Sequence, residues 1–152
     1  LLTDSGIDIV NYLAGALGKS VGIKANSLLT IGTGTVQANG VVTASGLGVT
    51  GATAVTGAFT ADNLIDLAHS VDSDYVREGA AFMMKRSTGL GAKSVLFGAF
   101  SSYHVRQVGG IEIARSDDAY FASDEVGFRV TLRMWGDLGQ STAVKHFIGN
   151  AA

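Results

Sequence analysis

An α+β fold is predicted for this chain by three features of its sequence. Apolar residues recur at three- and four-residue steps in two N-terminal stretches, the period of amphipathic helices. A strand-like period of two runs from Val126 to Trp135, and a Gly109-Gly110 pair divides the extended segment before it. Helices followed by strands joined by hairpins imply a long helix and a second helix packed on a mainly antiparallel sheet.

In the first stretch Ile7, Val10, Ala14, Leu17 and Val21 share one helical face, entered from Asp4 or Ser5 as cap. Over Ile7 to Ile23 such a helix runs about 25 Å. Asp8, Asn11 and Lys19 interrupt it, so it falls short of the roughly 18 clean apolar residues a membrane span needs. Gly15, Gly18 and Gly22 each cost roughly 1 kcal/mol relative to alanine, which predicts a close backbone approach along that side. From Ala25 to Ala61 no charged residue occurs. Within it, 32–60 is rich in Gly and Thr and is expected as loop and short strands with glycine turns, such as Gly40 to Thr43.

Leu64, Leu67, Ala68 and Val71 carry the second helix, with Thr60 as cap and Asp62 favourable in its first turn. Ala80 to Met84 is expected as a short, fully buried strand. Gly109-Gly110 reads as a two-residue hairpin turn between Tyr103 to Val108 and Ile111 to Arg115, because both central positions need positive φ. Val126, Phe128, Val130, Leu132 and Met134 then alternate with Gly127, Arg129, Thr131, Arg133 and Trp135. That strand should present one face to the core and a charged or aromatic face outward.

The 152 residues, 47% of them hydrophobic, are sized for one domain with a real core. Eleven basic against thirteen acidic residues give a net charge of -2, which argues against a strongly electrostatic nucleic-acid binder. Absence of cysteine excludes disulfides and thiolate metal sites. There is no proline, where usage of about 5% predicts roughly seven.

Motifs that suggest chemistry fail on inspection. GLGAKS (Gly89 to Ser94) has Ala92 and Ser87 where a phosphate loop needs glycines, and a strand follows where a helix is required. IGTGTVQ has Gln37 in place of the third glycine of a dinucleotide fingerprint. Asp72, Asp74 and Glu78 begin like a calcium loop, but Val76 replaces an oxygen ligand and the sixth-position glycine is missing. Asp117, Asp118, Asp124 and Glu125 form a looser acidic cluster, read as a solvated connecting loop. His69, His104 and His146 lie far apart and form no catalytic or ligand pair. The expectation is a protein without catalytic, metal or cofactor site. Arg106, Arg115, Arg129 and Arg133, on strands or at a strand end, stand out instead; they form either a solvated sheet face or partners for carboxylates.

Four segments in order, Ser94 to Ser101 (SVLFGAFS), Tyr103 to Val108, Asp117 to Asp124 (with YFASD) and Val126 to Arg133, resemble the C-terminal part of tailed-bacteriophage major capsid proteins of the Hong Kong 97 type. IDIVNYLAGAL resembles that family's spine helix, and TADNLIDLAHSVDSDYVREGAAFMMKRST its next helix and strand. The resemblance implies the tailed-phage capsid fold without its N-terminal arm and extended loop, as one truncated domain over 1–152. Relatives carry a long excursion after the segment matching MMKRST, so a missing segment is expected at 88–92. It further implies a structural subunit of an icosahedral shell, made in the bacterial host cytoplasm and residing in the virion. Such a subunit forms homo-oligomeric hexamers and pentamers and encloses double-stranded DNA without sequence-specific binding. It uses no membrane, cofactor or small-molecule substrate. Arg106, Arg115, Asp117, Asp118, Arg129 and Arg133 are the expected inter-subunit contacts. The cross-link some members make is not supported: Asp124 stands at the asparagine's place, Thr131 near the glutamate's, and the lysine-bearing loop is lacking. Rival readings are a cargo-compartment shell of the same fold and a fibre or adhesin module.

Overall fold

The computed structural model describes residues 9–51, 59–84, 92–123 and 125–149. Helix α1 (Ile9–Ile31) has 23 residues, a length of about 34 Å at 1.5 Å per residue. It passes the expected end at Ile23 because Lys24 to Ile31 contains no glycine; Gly32 then ends it, its N–H bonding to the Leu28 carbonyl at 2.9 Å. The half-buried stripe is Leu13, Leu17, Val21, Ala25 and Leu28, whereas Ala14 is exposed, so the packed face is rotated from the expected one. Asp4, Ser5 and Ile7 lie outside the described residues. A Cβ added at Gly15, Gly18 or Gly22 would meet no atom within 4 Å beyond the backbone of its own helical turns, which corrects the expected close approach: along these glycines the described chain places nothing against the helix.

Beyond α1, a bridge between Thr33 and Asn39 closes a small loop. The strand expected at Gly40 to Thr43 is instead a single helical turn, α2 (Val41–Ala44), because the Gly40 carbonyl accepts from both Thr43 and Ala44 N–H at 2.9 Å. Helix α3 (Ala61–Ser70) begins as expected, with Thr60 and Asn63 exchanging side-chain and backbone hydrogen bonds in a capping box. Thr60→Ala should therefore cost about 1 kcal/mol, read as a lower urea midpoint. Asp72 caps the short α4 (Ser73–Arg77) by accepting from Asp74 N–H at 3.1 Å, a structural use for an acidic run that imitates a calcium loop.

The strands are β1 (Gly46–Thr50), β2 (Ala81–Met84), β3 (Lys93–Gly98), β4 (Tyr103–Tyr120), β5 (Glu125–Leu138) and β6 (Val144–Ile148). Four form a sheet in the order β1-β6-β3-β2, antiparallel except for β1 with β6. Central β3 is apolar without a break from Val95 to Gly98 because both sheet faces are covered. On one face Val95, Phe97 and Phe147 pack with Leu67 and Val71 of the α3 region. On the other, Leu96 and Val144 pack with Val41, Val42 and Leu138. Strand β2 is an edge, so Phe82 and Met84 stay exposed and the expected full burial of this strand is corrected. Segment 88–92 lies outside the described residues except for Ala92.

Gly98 ends β3 at φ +151, and a Cβ there would strike the Ala143 carbonyl oxygen. Gly98→Ala should cost about 1 to 3 kcal/mol by overpacking, again visible as a lower urea midpoint.

One buried polar chain ties α2 to the sheet. Ser45 Oγ donates to the Val42 carbonyl at 2.8 Å and lies 3.0 Å from His146 Nδ1. A hydroxyl has one proton, so Nδ1 carries the other and His146 donates. Lys93 Nζ donates to the same Val42 carbonyl at 3.0 Å, and burial lowers its pKa.

Candidate assembly surface

Strands β4 and β5 form a separate two-stranded ribbon, paired from Tyr103 opposite Leu138 to Tyr120 opposite Glu125. This corrects two expectations. Gly109-Gly110 makes no hairpin turn: β4 runs straight through it, and the register shifts between Val108 and Glu112 with Gly109 at φ 75. The glycines serve a bulge, because Tyr103 to Val108 and Ile113 to Ser116 both find their partners on β5. Asp117 and Asp118 likewise belong to the end of β4 and not to a connecting loop, while Asp124 is outside the described residues.

The register sorts the ribbon into two faces. Val126, Phe128, Val130, Leu132 and Met134 alternate toward one side, as expected, but they are half-buried and do not form the core. Val130, Leu132 and Met134 line a groove with Val21, Ala25 and Leu28 of α1. At its base the ribbon is held to the rest of the chain. Tyr103 Oη donates toward the carbonyls of Asn39 (2.8 Å) and Leu29 (3.2 Å), and Asn39 Nδ2 donates to Asp137 Oδ1 at 2.9 Å. Burial, then the nearby Asp137 carboxylate, raises the Tyr103 pKa.

The opposite face carries three of the four singled-out arginines. Arg106 stands opposite Trp135, and Val108 opposite Arg133, so Trp135 sits beside both Arg106 and Arg133. Arg129, opposite Ala114, lies about 13 Å further along at some 3.3 Å per residue. All three arginines are exposed, and among the described residues none has a carboxylate within ion-pair distance. Arg115 is on the other face, opposite Phe128, and bonds Asp117 at 2.8 Å with both side chains more than half exposed. Such a pair is worth about 1 kcal/mol or less. Asp118 is exposed with no described partner.

Trp135 is the residue the sequence undervalued. Alternation places it on the arginine face, but the expected Gly109-Gly110 hairpin pairs the Arg106 segment with Ile111 to Arg115 instead of with β5. The chain's only tryptophan, in step with Arg129 and Arg133, was the available signal. Among the described residues no group of three His, Cys, Asp or Glu side chains is placed to hold a metal, and no helix is long and apolar enough to cross a membrane.

The family model for the phage capsid family matches residues 1–91 and 88–147. The chain belongs to the phage capsid family. Two solved chains share the fold of this phage capsid protein: one from the capsid of an empty GTA particle, 21% identical with a TM-score of 0.76, and one from the capsid of a native GTA particle, 22% identical with a TM-score of 0.77. Each alignment covers 99% of this chain and 69% of the other. No curated protein sequence matches it. The mixed helix-and-sheet architecture expected of a phage capsid protein is the one observed, and membership makes the chain a structural subunit of a capsid.

Proposed function

We propose that this subunit acts by self-assembly, forming hexamers and pentamers that close into an icosahedral shell around double-stranded DNA, without catalysis, cofactor or sequence-specific DNA contact. The supporting observation is the ribbon. A two-stranded sheet is at best marginally stable in water by itself, and here, among the described residues, both outer edges of an 18-residue and a 14-residue strand have no sheet partner. Val105, Val108, Ile111, Ile113, Tyr120 and Trp135 are exposed along it. Neighbouring copies would cover these edges and side chains, with Arg106, Arg115, Asp117, Asp118, Arg129 and Arg133 as the polar contacts. Many weak contacts of this kind sum to a stable closed shell. The subunit would be made in the bacterial host cytoplasm and reside in the virion.

The chain is read as one capsid domain that lacks an excursion at 88–92, a reading supported by a family match in two pieces that meet at 88–91.

Expression followed by electron microscopy tests the shell: closed particles are expected, and chains that stay monomeric at high concentration would refute it. Protection of copurified duplex DNA from nuclease tests enclosure. A thermal-shift screen with nucleotides and divalent metals should be flat; stabilisation by several degrees would reveal a ligand site instead.

A further inference from the structure

We propose that the Arg106–Trp135–Arg133 cluster of one copy seats in the groove between α3 and α4 of a second copy, head to tail, with its arginines on the carboxylates around that groove. This rests on the shell-subunit reading and names its contact.

The donor surface is compact. Trp135, 43% exposed, stands opposite Arg106 and next to Arg133 on the same ribbon face, with Val108 across from Arg133. These side chains surround a hollow of about 400 Å³. Tryptophan and arginine are the residue types that most often anchor protein interfaces, tryptophan by filling an apolar pocket and arginine by pairing at its rim.

The acceptor has the matching features. A groove of about 670 Å³ lies where α3 and α4 meet, floored by Ala68, Val71, Val76 and Phe97. Asp72, His69 and Arg77 line it as well, and outside this lining Asp62, Asp66, Asp74 and Glu78 are exposed on the same two helices and their caps. Over α3, α4 and their caps five exposed carboxylates stand against Arg77 as the one arginine, so the surface around the groove carries net negative charge. None of these carboxylates has an ion-pair partner among the described residues, and neither do Arg106 and Arg133. Two complementary surfaces that do not pair within one chain can be satisfied by a second copy. Because they are different surfaces, the contact is heterologous, the kind that builds rings. A net charge of -2 favours this acidic partner over duplex DNA for so small a basic patch.

Charge exchange tests the pairing. Arg106→Glu with Arg133→Glu, and separately Asp66→Lys with Asp74→Lys, should each weaken self-association roughly a hundredfold. Asp72 is left in place so that the α4 cap survives, and thermal melts confirm that both variants fold. Mixed together, the two variants should associate again, because each reversed surface then meets its complement. Trp135, the chain's only tryptophan, reports directly: its emission should shift to the blue as the wild-type protein associates. Failure of the mixture to associate while wild type does would overturn the pairing. Closed wild-type particles with unmoved Trp135 emission would overturn it and leave the shell reading intact. Rescue by mixing in oligomers that never close would do the reverse. A Trp135 response to duplex DNA in place of a second copy would assign the cluster to nucleic acid and refute the proposal.

Discussion

Phe147→Ala is expected to cost about 3 to 5 kcal/mol, the range for a fully buried phenylalanine. Phe147 is 1% exposed, packs with Leu67, Val71, Val95 and Phe97, and meets Phe59 edge to face at 6.3 Å. Its ring lies so close to Gly51 that an added Cβ there would sit 2.7 Å from Cζ. Truncation removes these contacts and leaves a cavity bounded by the rigid α3 helix and the sheet, which can collapse only partly. With a total stability of roughly 5 to 15 kcal/mol, the loss should appear as a large drop in urea midpoint. Phe128→Ala, on the half-buried face of the ribbon, should cost about 1 kcal/mol, because water already reaches part of its surface. Equal losses from the two changes would mean that the ribbon carries as much of the core as the four-stranded sheet.

Acid should destabilise the protein by about 3 kcal/mol through His146 alone. Burial, then the Lys93 and Lys145 charges, lower its pKa from 6.5 to about 4, with hydrogen bonding to the Ser45 backbone acting in the opposite direction. The unfolded chain therefore binds this proton more readily than the folded one. Stability is full above about pH 6.5, falls as pH drops toward 4, and stops responding to this group below that; a shift of some 2.5 units at 1.36 kcal/mol each sets the size. Once protonated, His146 would face Lys93 from β3 and Lys145 from its own strand. Urea unfolding between pH 7 and 4 measures the slope. His146→Gln, whose amide can still donate to Ser45, should remove this part of it. A slope unchanged in that variant would place the acid sensitivity elsewhere.

Much of the fold was legible because it rests on local rules. The Thr60 cap, the α3 stripe ending at Val71, the SVLFG strand and the alternation through β5 each follow from residues a few positions apart. Where the reading failed, two local rules competed or a distant partner decided. Gly109-Gly110 satisfies the chemistry of a hairpin turn and of a bulge equally well; only the availability of β5 along the whole of Tyr103 to Tyr120 selects the bulge. Val41 and Val42 have strand propensity, yet the buried sheet face and the Gly40 carbonyl draw them into a helical turn. Ala81 to Met84 looks buried by composition, yet Phe82 and Met84 are exposed, because among the described residues no strand pairs with its outer edge.

The same division applies to function. Ordered segments from Ser94 to Arg133 were enough to place the chain among phage capsid proteins, since such patterns survive as side-chain types at fixed spacing. The sequence also determined which arginines stand out and that Arg129, Arg133 and Trp135 share one strand face, a consequence of the two-residue pleat. Tertiary structure alone decided that Arg106 joins them, that Arg115 does not, and that the core lies around Phe147 and Leu96 and not under Phe128. These depend on register between residues far apart in sequence, such as Arg106 and Trp135, where a shift of one residue sends every side chain to the opposite face.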